Sequence, residues 1–334
     1  MRYARRITTW SIILAILLLS VSIVSSGIGP VKLPSNLFLK IILNTFLGGS
    51  NLINPTDMTI LVTLRLPRIL LAAIVGFALA TAGTVMQGFF RNPMADPSII
   101  GVSAGAATGA VAVIAFGISI PFGIELAAIL GALVAAFFVF YISTKKGHTP
   151  VATLLLSGIA IQTFLGALVS LLLLLSGENL RQAIFWLMGH LHTANWIDIS
   201  FTFPIVIFAF FFLFFFTRDL NALYLGEESA HSLGVNVEQT KRILLCLASI
   251  LTAVAVSVSG VIGFVGLIIP HIMRIIVGPD HRILLPTSAL AGAIFLVLAD
   301  TVARSGVAEV PVGVVTALVG APFFIYLLRN GGGR

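Results

Sequence analysis

His190 and His192, separated by one residue, are the nearest this sequence comes to a metal-ligand pair. On a helix that spacing turns the two rings to different faces, which favours loop or interfacial histidines over a metal or haem site. The other four, His148, His231, His271 and His281, are scattered. No H-E-x-x-H pattern occurs, and the one cysteine, Cys246, lies in an apolar run, so neither a metal centre nor a disulfide framework is expected. No Gly-Lys pair occurs either, which rules out the phosphate loop of an ATPase. A proton relay would need carboxylates inside apolar segments. Asp300 is the main candidate, and it stands near the end of one. Neither ATP hydrolysis nor proton coupling is evident in the chain itself, so energy should come from a partner.

The polar stretch GEESAHSLG, residues 226–234, interrupts two long apolar runs. Glu227 and Glu228 suit the first turn of a helix, where carboxylates complement the positive end of the dipole. Gly234 can close that helix in the left-handed conformation. The pattern predicts a short helix, a turn, and entry into the next apolar segment from Val237. A helix resting on lipid headgroups is the plain alternative, but such a helix should be basic. The two acids fit a protein partner better.

These residues must be positioned by a very apolar chain. Of its 334 residues 58% are hydrophobic and 9% charged, which places it in a membrane rather than in water. Ten spans are predicted, at roughly 8–28, 68–88, 98–117, 122–143, 151–175, 198–217, 241–259, 262–277, 284–303 and 311–329. In lipid they must be helices, because an open strand leaves backbone groups unpaired. The expected fold is therefore an all-α integral membrane protein, one transmembrane domain over 1–334, with the polar loop at about 218–240. Small residues, among them Gly76, Ala78, Ala80, Ala82, Gly83, Gly101, Ala104, Gly105 and Gly109, should let the helices pack tightly. The first segment follows Arg2, Arg5 and Arg6 but has no clear cleavage site, so it reads as a retained helix.

With the N-terminus inside, only Lys32, Lys40, Arg65, Arg68, Arg181 and Arg304 of the 19 Lys and Arg fall outside. This bias predicts both termini in the cytoplasm and a cytoplasmic 226–234 helix. It also accounts for the net charge of +7 without nucleic acid. Pro34, Gly48, Gly49, Asn51, Asn54 and Pro55 predict an irregular external segment after the first span. GFFRNPMADPSIIGV and GFVGLIIPHIMRIIVG echo each other as proline-bearing breaks, both placed at inner helix ends. In the fifth span, Gln162 and Ser170 are eight apart and Thr163 and Ser170 seven. They form a sparse polar stripe that either lines a pathway or bonds between helices. Arg65 and Arg68, with Arg304, put guanidinium groups at the outer side. They are either snorkelling anchors or free partners for carboxylates on a soluble protein.

The segments LRLPRILLAAIVGFALATAGTVMQGFFRNPMADPSIIGVSAGA, LGEESAHSLGV, GVIGFVGLIIPHIMRIIVGPDHRILLPTSALAGA, LADTVAR and VPVGVVTALVGAPFFIYLL carry a resemblance that runs from about residue 60 to the end. The chain resembles the permease subunit of type II ATP-binding-cassette importers, the iron-chelate, haem and vitamin B12 family. The resemblance implies a homodimer of ten-helix chains in the cell membrane, two cytoplasmic ATPase subunits, an extracytoplasmic substrate-binding protein, and no cofactor. Leu225, Gly226, Glu227, Glu228, Ala230, Leu233 and Gly234 match the ATPase-coupling helix, with Ala230 expected to pack in the ATPase groove. Arg65, Arg68 and Arg304 match the binding-protein docking positions. Asn92, Met94, His148 and Thr149 match the cytoplasmic gate, although His148 departs from the small polar residue expected there. Gln162, Thr163 and Ser170 remain the pathway candidates. The implied cargo is a bulky metal chelate, first a ferric siderophore, with haem and vitamin B12 as alternatives. An ion-driven secondary carrier is the alternative from another class, and the sparse intramembrane charge speaks against it.

Overall fold

A computed structural model describes residues 2–29, 31, 54–306 and 308–329. Lys32, Pro34, Lys40, Gly48, Gly49 and Asn51 of the expected external segment lie outside the described residues. Each of the ten predicted spans contains a helix. In chain order they are α1 (Arg2–Gly27), the short α2 (Pro55–Thr59), α3 (Leu66–Phe89), α4 (Val102–Ala115), α5 (Gly123–Ser143), α6 (Val151–Leu175) and the short α7 (Leu180–Leu187). They continue as α8 (Trp196–Phe215), α9 (Thr217–Leu225), α10 (Glu227–Ser232), α11 (Val237–Ser259), α12 (Val265–Val277), α13 (His281–Ala303) and α14 (Val312–Arg329). A π-helical turn, Ile60–Arg65, joins α2 to α3 and makes one continuous helical run of 35 residues. Seven of these runs are long and apolar enough to cross a membrane, and α4, α12 and α14 are shorter apolar helices.

The bundle is built around α3, which packs against both α11 and α13, and all three are mostly buried. By contrast, α1 and α6 leave most of their apolar surface outward, as helices do that face lipid or another chain. The predicted small residues set the distance between the inner helices. A Cβ on Gly76 would collide with the Gly292 carbonyl of α13, and one on Gly83 with the Gly266 carbonyl of α12. Backbone meets backbone at both places, so no side chain can move aside. Replacing Gly83 by Ala is expected to cost about 2 kcal/mol through overpacking. A thermal midpoint in detergent reads this. Gly166→Ala is the control, because its Cβ would meet nothing within 4 Å.

The two breaks are real, but only one lies where it was expected. The first follows the inner end of α3. Arg91, in the left-handed region at φ 50°, closes that helix, with Asn92 N–H donating to Gln87 O and Arg91 N–H to Gly88 O. The second does not lie at an inner end. It is the non-helical run Gly260–Phe264 beyond the far end of α11, where His190 N–H donates to Ser259 O at 2.7 Å. Pro270 sits inside α12 instead and has no N–H for the Gly266 carbonyl one turn back. Gln87 of α3 reaches across to that turn, donating Nε2 to Leu267 O at 2.9 Å and to Gly266 O at 3.4 Å. Gln87 thus serves this turn, including the Gly266 carbonyl that the proline leaves without its helical donor.

Candidate functional site

The polar stretch forms the predicted short helix, α10, and each end has an identifiable cause. Gly226, at φ 125° and ψ 154°, breaks the chain between α9 and α10. Gly234, at φ 84°, ends α10, with Gly234 N–H donating to His231 O and Val235 N–H to Ala230 O. That pair of bonds is the glycine-terminated helix stop expected there. The preceding α9 is fixed to α13. Asn221 Nδ2 donates to Asp280 Oδ1 at 2.8 Å, and its Oδ1 accepts from His281 N–H at 2.9 Å. Asp280 caps α13, and the Arg282 guanidinium, helped by Asn221, holds its carboxylate down at about 2. α10 is therefore presented on a rigid inner corner of the bundle.

Its residues do not all face the same way. Leu225 and Leu233, at the two ends, are 70% and 67% exposed, and Glu228 is exposed between them. Glu228 has no side-chain partner among the described residues, so its carboxylate is free to meet another protein. Glu227 instead turns inward and pairs with Lys241 Nζ at 2.7 Å. Ala230 corrects the expectation that it packs in a partner's groove. It is wholly buried in this chain's own core, because its Cβ lies on the inner face of the single helical turn.

The expected gate residues fall into two loops. In the first, Asn92 Oδ1 accepts Met94 N–H at 2.9 Å and shapes the turn, leaving Asn92 exposed and Met94 half-buried. In the second, His148 is largely exposed while Thr149 is buried. Thr149 N–H donates to Glu238 Oε2 at 3.2 Å, and its hydroxyl lies 2.9 Å from that of Thr144. The first turn of α11 thus holds the second loop beside α10. A cleft of about 660 Å³ separates them, lined by His148, Glu227, Glu228, His231 and Glu238 among others.

At the other end of the molecule the three arginines are not free guanidinium groups. Arg65 is buried and donates to the Ser26 and Val31 carbonyls. Arg304 is also buried, donating to Ser25 O at 2.8 Å and Ile28 O at 2.9 Å. Both satisfy carbonyls left orphaned at the end of α1, where a cation also suits the helix dipole. Arg68 forks onto Asp300, with Nε at 2.9 Å and Nη2 at 2.7 Å from Oδ1, and its Nη1 meets Glu309 at 2.6 Å. Asp300, the relay candidate, is wholly buried between Arg68 and Arg304. The picture of exposed bases waiting for a partner's carboxylates is corrected to an internal cluster. Of this set Glu309 is the member with substantial exposure, at 44%.

His190 and His192 are in a loop rather than on a helix, so their rings come together, 4.7 Å apart. They line an outer cleft of about 560 Å³ with Glu125, Arg181 and Asp198. Burial, reinforced by His192, lowers His190 to about 4, so its imidazole is neutral at neutral pH. Among the described residues no three His, Cys, Asp or Glu side chains converge on a metal position. The stripe on α6 divides. Gln162 donates to Ile99 O at 2.8 Å and ties α6 to the first break. Thr163 and Ser170 stay exposed, their hydroxyls bonded back to Ile159 O and Gly166 O of their own helix. Gln162 is thus a bond between elements, and only Thr163 and Ser170 remain on an open face. Two residues that sequence reasoning passed over, Gln87 and Lys241, turn out to be central. Their only signal was a polar side chain inside a segment otherwise read as buried.

Comparison with known proteins places this geometry. The family model described as the FecCD transport family matches residues 12–330. The cobalamin import system permease protein BtuC of Halobacterium salinarum is 58% identical over 275 residues, covering 82% of this chain and 74% of its own. The hemin transport system permease protein HmuU of Yersinia pestis is 46% identical over 273 residues, 79% of this chain and 81% of its own. A solved structure described as an inward-facing conformation of a transporter assigned to the metal-chelate ABC type superposes with a TM-score of 0.85. It has 38% identity and covers 96% of this chain and 98% of that one.

Proposed function

The chain belongs to the FecCD transport family, and we propose that it forms the membrane pathway for a bulky metal chelate, with cobalamin the first cargo to test. It is a type II ABC importer permease and a multi-pass protein of the cell membrane. Family membership implies an ATPase and a binding protein as partners. In the proposed assembly two copies of the chain pair, two ATPase subunits dock on α10 from the cytoplasm, and a binding protein delivers cargo to the outer face.

The observation that carries the coupling assignment is α10 itself. It is a short helix bounded by Gly226 and Gly234, with Glu228 exposed on it and Leu225 and Leu233 exposed at its two ends. Two apolar anchors beside one unpaired carboxylate suit a protein groove with a complementary base. The break after α3 and the His148–Thr149 loop lie at the same end and form the cytoplasmic gate. Thr163 and Ser170 line part of the path, and with bonded hydroxyls they offer cargo little to hold. A weakly binding path suits an importer, since cargo must leave as well as enter. At the outer face, Glu309 and the outer cleft are the surface for the binding protein, and the buried arginines hold that surface in shape.

The 58% identity to a cobalamin permease favours cobalamin over the ferric siderophore that motif resemblance alone suggested. Uptake tests this. Cells lacking the chain, with and without it restored, receive radiolabelled cobalamin, haem and ferric siderophore in parallel. Restored accumulation of cobalamin alone is the expected result. Restoration of only haem or only the siderophore would reassign the cargo.

A further inference from the structure

Lys241 is a buried ammonium in the second turn of α11, only 2% exposed. Its ammonium joins three elements: it donates to the Thr149 carbonyl of the second loop at 3.2 Å and to Glu238 of α11 at 3.3 Å, and it forms an ion pair with Glu227 of α10 at 2.7 Å. Glu238 closes the ring by accepting Thr149 N–H. The loop thus both donates to and accepts from the same ion-pair cluster. α10 has few other ties to α11, since it is six residues long and rests chiefly on α9.

We propose that Lys241 is the joint that makes α10 and the 145–149 loop move as one body, so that a displacement of α10 is delivered to the loop. The inference rests on α10 being the ATPase-coupling helix. A buried charge paired with two carboxylates suits such a joint, because moving one member without the others would leave the ammonium undercompensated away from water. The three elements then have two options, to travel together or to break at a large cost. Lys241 touches neither cargo nor ATPase in this scheme, and it acts by positioning.

The test uses the assembled transporter, with ATPase and binding protein, in proteoliposomes. Cys246, which is exposed, is first replaced by Ser. Spin labels on Cys at 146 and 232, both exposed sites in the native chain, report the separation of loop and helix. With Lys241 in place the 146–232 distance should stay constant as nucleotide is added. In Lys241→Met it should change with nucleotide, and cargo moved per ATP hydrolysed should fall about tenfold. Lys241→Arg should restore both. Should Lys241→Met fail to fold, Glu227→Gln weakens the same joint and should lower the ratio about threefold. A parallel cross-link from Ser229→Cys to the ATPase checks the underlying assignment. Absence of that cross-link removes the premise and the proposal with it. A cross-link, together with an unchanged distance and unchanged cargo per ATP in both variants, overturns the Lys241 joint alone.

Discussion

Replacing Glu228 by lysine is expected to abolish ATP-driven uptake while leaving the permease folded. Glu228 is exposed and has no side-chain partner among the described residues, so the fold loses no contact. The docking face between Leu225 and Leu233 does change sign. If a base of the ATPase sits opposite, a favourable pair becomes two like charges in a partly desolvated groove. Such a reversal costs about 2 kcal/mol, roughly thirtyfold in affinity. Titrating the purified ATPase onto the permease in nanodiscs reads the affinity, and uptake reads the consequence. Glu227→Gln is the informative comparison, because Glu227 faces Lys241 and its loss should spare docking. Uptake and docking both preserved in Glu228→Lys would remove α10 from the coupling role.

The second large effect is expected at Asp300. Its carboxylate is wholly buried and is shared by Arg68 and Arg304. In Asp300→Ala both guanidinium groups lose their central counter-charge. Arg304 keeps the α1 carbonyls and Arg68 keeps Glu309, but neither acceptor set replaces a buried carboxylate. Breaking one member out of such a cluster costs about 3–5 kcal/mol. The thermal midpoint of the detergent-solubilised chain should fall steeply, and Asp300→Asn should fall nearly as far. A proton relay would behave differently. Asp300→Asn would then keep its midpoint and lose only gradient-driven uptake.

The helices were legible in the sequence because lipid leaves the chain little choice. Long apolar runs must be helical, and each predicted span contains one. The end of α10 was legible for a similar reason, since Gly234 occupies a backbone conformation other residues avoid. Side-chain direction was not legible. Arg304 serves Ser25, Arg68 serves Asp300, and Gln87 serves Leu267, pairs separated by 279, 232 and 180 residues. No local pattern states which of two arginines on a helix end turns inward. Charge counting puts Arg65 and Arg304 on the outer side, and it cannot tell a snorkelling base from one that caps a neighbouring helix. Ala230 was misplaced for the same reason, because a six-residue helix is too short for periodicity to define its buried face.

The measurement closest to the central claim is uptake into proteoliposomes that hold this chain with its ATPase and binding protein. Radiolabelled cobalamin is supplied outside, with either ATP on the ATPase side or an imposed proton gradient. Accumulation should require ATP and an active ATPase, should ignore collapse of the gradient, and should vanish in Glu228→Lys. Accumulation that proceeds without the ATPase and stops when the gradient is collapsed would contradict the importer account and make the chain an ion-driven carrier.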